Sequence, residues 1–241
     1  MRARIRLLRA RLTGLVGMTR LLLALRRGKV EEIWVGDSHS VLLNTGRFPF
    51  PGVGAAAPGR WVIHLGPRVM YSIARDGFPP ALQGLAARIG RLTASQRVSW
   101  FFVFGEIDIR CHLAPRLADG GDVGFVAQYV DHVRALTAII GPAASRVVVP
   151  VPPCIDVLDH NAFPVAGSPE QRLAAHRAVR EALHAAAADT GDEVGVLDMT
   201  PALMQPDGLM QPQFTDDGCH TNAAGRAVVR RETARLTAAR R

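Results

Sequence analysis

From Val30 onward, short apolar runs alternate with longer stretches of helical periodicity, and this alternation leaves few folds open. Runs at 32–36, 61–65, 98–104, 145–151 and 193–198 have the length of strands. Between them, 68–75, 81–93, 123–140 and 169–190 have helical spacing, the third closed by Gly141-Pro142 and the fourth by Gly191. Thr221 or Asn222 caps a last helix running to about Leu236. Strands alternating with helices in this way predict an α/β fold, a mostly parallel sheet of five strands with helices on both faces. In open sheets of that kind, sites lie beyond the carboxyl ends of the strands. Those ends are polar or rich in Gly and Pro: Gly36-Asp37-Ser38, His64-Leu65-Gly66-Pro67-Arg68, Gly105 to His112, and Pro152-Pro153-Cys154. Two Pro-rich connections, 47–59 and 152–169, are long for a compact domain and suggest binding loops.

At 241 residues and 48% hydrophobic content the chain can bury one sizeable core, and nothing demands a second folded domain. The formal charge of +8 is not spread over it. Residues 1–29 hold nine basic residues and no acid, which leaves 20 basic against 21 acidic residues in 30–241. A neutral body excludes the basic face of a nucleic-acid-binding fold, so no nucleic acid is expected as a partner. Cys111, Cys154 and Cys219 are odd in number and lack metal or redox spacing, which points to a reducing, cytoplasmic setting.

The chain therefore divides into a basic N-terminal helix, 1–29, and an α/β body, 30–241. Ile5, Leu8, Leu12, Leu15, Val16, Leu22 and Leu23 recur at helical spacing, with Arg2, Arg6, Arg9, Arg20 and Arg27 on another side. Arg9, Arg11 and Arg20 interrupt the segment too often for a spanning helix, which needs about 20 mainly apolar residues. It is also a poor signal peptide, because Arg20 splits the apolar run. Two roles stay open: an arm packed on the domain or a partner, and a basic helix in peripheral contact with an anionic membrane.

The chemistry concentrates where the first apolar run, Ile33-Trp34-Val35, stops at Gly36-Asp37-Ser38-His39-Ser40. Ser38 is left at a strand end, the place of a nucleophile. A serine attacks at neutral pH only if a base takes its proton and donors stabilise the oxyanion. Near the C-terminus, Asp216-Asp217-Gly218-Cys219-His220 offers both missing partners. His220 is the candidate base, and Asp217, three residues earlier, can fold back to orient its imidazole; Asp216 competes for that role. Ser40 is an alternative nucleophile. His39, beside the nucleophile, is expected to point away, Asp37 to hold the turn, and Glu106 and Asp108 to pair with Arg68, Arg75 or Arg110.

Gly-Asp-Ser early, Gly-x-x-Asp in the middle (Gly105 to Asp108) and Asp-x-x-His late together resemble the SGNH hydrolase, or GDSL-like esterase, superfamily. The resemblance implies a three-layer α/β/α fold similar to flavodoxin, no cofactor or metal, and ester hydrolysis or acyl transfer through an acyl-serine. It maps Ser38 to the nucleophile, Asp217 and His220 to acid and base, and Gly66 to the glycine whose amide helps to form the oxyanion hole. The third block departs from the family's Gly-x-Asn-Asp. Ile107 stands where an asparagine donates to the oxyanion, and isoleucine donates nothing. Loss of one such donor costs about 100- to 1000-fold in turnover, which directs attention to Arg110 and His112 as substitutes or as contacts to an anionic substrate. Two functions follow: a serine esterase or acyltransferase acting on a small-molecule or glycan O-acyl ester, and a non-catalytic binding module recruited by its basic helix.

Overall fold

The computed structural model describes residues 2–46, 51–93, 98–141, 144–157 and 163–238, with side chains described from residue 14 to 235 within those ranges. A six-stranded sheet is built from β1 (Val30–Gly36), β2 (Gly52–Ala57), β3 (Gly59–His64), β4 (Ser99–Val103), β5 (Ala144–Val148) and β6 (Val194–Leu197). The order is β2-β3-β1-β4-β5-β6, with every pair parallel except β2–β3. Without β2, the five strands expected from sequence follow the flavodoxin order 2-1-3-4-5.

The sixth strand corrects the expectation of five. Gly52–Ala57 reads as part of a Pro-rich loop because Gly and Ala are poor strand formers. Tertiary context overrides that propensity: the segment runs back antiparallel along β3, with Gly52 opposite His64 and Ala55 opposite Trp61, and α1 (Arg2–Arg26) packs against it. The remainder of that loop, 47–50, and part of the second, 158–162, lie outside the described residues.

Alternation along the buried strands divides the core into two layers. Ile33 and Val35 of β1, with Trp100 and Phe102 of β4, face one side, where they meet α3 (Met70–Asp76), α4 (Pro80–Thr93), α7 (Phe125–Ile140) and α8 (Pro169–Ala188). Trp34, Phe101 and Val103 face the other, against α2 (Ser38–Leu42), α9 (Thr200–Leu203) and α10 (Ala223–Ala238). Trp34 stacks on Phe101 with ring centroids 4.4 Å apart. Both layers are needed because a parallel strand has no solvent face. After β4 the chain forms α5 (Glu106–Asp108), a π-helical turn over Ile109–Leu113 and α6 (Ala114–Ala118), a compact segment that carries no separate sequence signal.

The N-terminal helix packs through its C-terminal half, where Leu21 and Leu25 are fully buried in the larger core layer. Leu15, Val16 and Leu23 remain exposed. Among the described residues no helix is long and apolar enough to cross a membrane.

Candidate active site

Sheet order reverses direction at β1, where β3 lies on one side and β4 on the other, so their carboxyl ends open a crevice. The chain enters it through Gly36. A Cβ there would fall 2.2 Å from the Val103 carbonyl and 2.8 Å from Ser40 Cβ, so only glycine lets the strand turn this sharply against β4. Asp37 then caps α2, its carboxylate accepting the His39 N–H at 2.8 Å, while Ser40 donates to the Asp37 carbonyl at 2.7 Å. Asp37 holds the turn, as its residue type suggests, and Ser40 is committed to it as well. Asp37 is fully buried, and desolvation pushes its carboxyl well above the usual range.

Ser38, the first residue of α2, faces the loop before α10. Its Oγ lies 3.1 Å from His220 Nε2, and His220 Nδ1 lies 2.7 Å from Asp217 Oδ2. A carboxylate only accepts, so Nδ1 carries the ring proton and Nε2 accepts from the serine hydroxyl. The other Asp217 oxygen, Oδ1, accepts from the N–H groups of His220 (2.7 Å) and Cys219 (2.9 Å) and from Thr215 Oγ1 (3.3 Å). Burial works against the Asp217 charge, but the His220 ring and these N–H donors outweigh it and hold the carboxyl well below the usual range. Asp216 instead accepts from Asn222 Nδ2 at 2.9 Å, at the cap of α10. Of the two aspartates left open in the sequence, Asp217 touches His220 and Asp216 does not.

Two backbone N–H groups converge on the same crevice. Gly36 pairs with His64 across β1 and β3, so Ser38 and Gly66 each sit two residues beyond paired strand ends. Among the described residues neither Ser38 N–H nor Gly66 N–H donates a hydrogen bond within the chain. Gly66 is buried at φ 80°, a conformation natural to glycine.

The third block does different work from that expected. Ile107 is buried at 3% exposure and offers no donor. Arg110 is not a free donor either. Its Nε and Nη2 bind Glu106 at 2.6 and 3.2 Å, and its Nη1 donates to the Phe163 carbonyl at 2.8 Å. His112 is exposed. Among the described residues Asp108 pairs with no arginine; it caps α3, accepting the Met70 and Tyr71 N–H groups at 2.7 and 3.0 Å.

Two residues matter more than their sequence context indicated. His39 does not point away: it is 3% exposed, its ring lies 4.8 Å from the His220 ring, and its Nε2 lies 3.2 Å from Glu106 Oε2. Glu106 also accepts from the Cys219 thiol at 3.3 Å. One carboxylate thus ties together the neighbour of Ser38, the neighbour of His220 and Arg110. Burial opposes its charge, yet His39 and Arg110 bring its pKa down to about 2. A signal was present in the sequence, because a charged residue placed directly after Phe101-Phe102-Val103-Phe104-Gly105 must be buried and partnered.

No protein-family model and no curated protein matches the chain. Solved structures do. A Streptococcus pneumonia protein assigned as a platelet activating factor aligns over 98% of this chain and 99% of its own, with 14% identity and a TM-score of 0.50. A Bacteroides fragilis protein assigned as an acylhydrolase aligns over 86% and 85%, with 13% identity and a TM-score of 0.53. A Lactobacillus plantarum protein aligns over 88% and 97%, with 14% identity and a TM-score of 0.52. Likeness at such low identity speaks for fold rather than chemistry. The chain therefore shares the α/β fold of these three proteins.

Proposed function

We propose that the protein is a serine ester hydrolase working through an acyl-serine, with Ser38 as nucleophile, His220 as general base and acid, and Asp217 as the group that orients His220. The observation that carries this is the continuous chain from Ser38 Oγ to His220 Nε2 (3.1 Å) and from His220 Nδ1 to Asp217 Oδ2 (2.7 Å). As Ser38 Oγ bonds to an ester carbonyl carbon, its proton passes to Nε2, and the imidazolium is stabilised by the Asp217 carboxylate. The carbonyl oxygen becomes an oxyanion, for which the free N–H groups of Ser38 and Gly66 are the available donors. Collapse expels the alcohol, which takes the proton from Nε2. Water then repeats the sequence on the acyl-serine and releases a carboxylic acid; an alcohol in its place gives acyl transfer.

With Ile107 in place of a third donor, turnover is expected to be slow for an enzyme of this architecture. The same substitution favours the second reading, a binding module that retains the fold without the reaction. A fluorophosphonate probe separates the two. Covalent labelling lost in Ser38→Ala but kept in Ser40→Ala supports the hydrolase; folded wild type that takes no label supports the binding module. Exposed Leu15, Val16 and Leu23 on a helix with nine basic residues in its segment further suggest peripheral attachment to an anionic bilayer.

A further inference from the structure

Beneath Ser38, three metal-ligating side chains from two separate segments meet in a space small enough for one ion. His39 Nε2, Cys219 Sγ and His220 Nε2 all lie within 4.8 Å of one another. The thiol is 3.7 Å from His39 Nε2 and 3.9 Å from His220 Nε2. Glu106 borders two of the three, with Oε2 at 3.2 Å from His39 Nε2 and Oε1 at 3.3 Å from Cys219 Sγ. Tetrahedral zinc, with Zn–N and Zn–O near 2.0–2.1 Å and Zn–S near 2.3 Å, holds its donors about 3.3–3.6 Å apart. The two His–Cys separations lie within a few tenths of an ångström of that spacing.

His39 and Cys219 are each 3% exposed, so an ion held there is shielded from water, while the partly exposed His220 marks the side of entry.

We propose that His39, Cys219 and His220, bordered by Glu106, form a site for a thiophilic divalent cation, zinc being the type, and that its occupancy switches off the reaction at Ser38. On binding, the Cys219 S–H bond breaks, its proton leaves to solvent and a metal–sulfur bond forms. His39 moves its ring proton to Nδ1, freeing the Nε2 lone pair. His220 Nε2 gives its lone pair to the metal and no longer accepts from Ser38, so the nucleophile loses its base. The inhibition rests on the hydrolase reading; the binding does not.

The test uses the full chain with Co²⁺ as a spectroscopic stand-in and Zn²⁺ in competition with a chromophoric chelator. Expected are one ion per chain, a thiolate-to-cobalt charge-transfer band, and loss of fluorophosphonate labelling at Ser38 as zinc is added. Cys219→Ser should lose the band, bind zinc at least about 10-fold more weakly, and keep its labelling in zinc. His39→Asn provides a second variant should Cys219→Ser not fold, with the same weakening expected. Ser38→Ala should bind the metal as wild type does, so binding stands or falls independently of hydrolysis. No stoichiometric binding, cobalt bound without a thiolate band, or equal affinity in folded Cys219→Ser would overturn the site. Binding that leaves Ser38 labelling intact would overturn the switch.

Discussion

Asp217→Asn tests the triad more sharply than removal of the serine, because the geometry dictates what the amide will do. Oδ1 of Asp217 accepts three donors, the N–H groups of His220 and Cys219 and the Thr215 hydroxyl, whereas Oδ2 faces only His220 Nδ1. In the variant the amide oxygen must therefore take the Oδ1 position, which turns the NH2 toward Nδ1. An NH2 group donates, so Nδ1 becomes an acceptor and the ring proton moves to Nε2. There it points at Ser38 Oγ, 3.1 Å away, and cannot receive the serine proton. In a serine protease triad the equivalent inversion lowers turnover about 10⁴-fold, or roughly 5.4 kcal/mol of transition-state stabilisation at 1.36 kcal/mol per tenfold. The fold should barely register the change. All three Oδ1 bonds survive and weaken only from charge-assisted to neutral, a loss on the order of 1 kcal/mol. The measurement is kcat/KM for p-nitrophenyl acetate alongside a thermal melt, with Asp216→Asn as control, since Asp216 serves Asn222 instead. Folded Asp217→Asn retaining more than about a tenth of wild-type activity, or Asp216→Asn losing as much, would refute the tautomer argument.

Three further outcomes are expected. Gly66→Ala forces a side chain into φ 80° and meets Pro51 Cγ only at ordinary contact, 3.5 Å; the cost is about 1–2 kcal/mol of backbone strain. The displaced amide should lower kcat about 100-fold with KM little changed, and an unaltered kcat would remove Gly66 from the oxyanion hole. Glu106, with its pKa depressed from 4.5 to about 2, contributes stability that is fully present above pH 4.5 and lost as pH falls through about 2. Acid unfolding of wild type should show that proton uptake and Glu106→Gln should lack it; identical slopes would contradict the ion pair. Replacing exposed Leu15, Val16 and Leu23 with Ser should weaken flotation with anionic liposomes while leaving the core contacts of Leu21 and Leu25 in place, and unchanged flotation of the folded variant would end the membrane attachment.

The architecture was largely legible in the order of residues, because strand and helix periods are local properties that burial reinforces. The five parallel strands and the major helices fall within a few residues of their expected bounds, and Gly36-Asp37-Ser38 announces its turn through residue types that few other conformations use. Asp217 and His220 were also legible, since a three-residue spacing with Gly218 between them permits the fold-back seen here. What local pattern could not supply was any contact made between distant segments. Gly52–Ala57 becomes a strand only because β3 and α1 offer it partners, against its own propensity. Asp216 and Asp217 are equivalent in spacing, and only the Asn222 cap separates them. The sequence leaves Arg110 between pairing with a carboxylate and donating at the site, and only the fold commits it to Glu106. His39 and Glu106 lie 67 positions apart, and their meeting with Cys219 beneath Ser38 depends on β1 and β4 being neighbours with their ends aligned. Sequence therefore determined the elements and the candidate site residues, because those follow from local chemistry. Tertiary structure decided which charges are buried together, because desolvation and pairing exist only once the strands are in register.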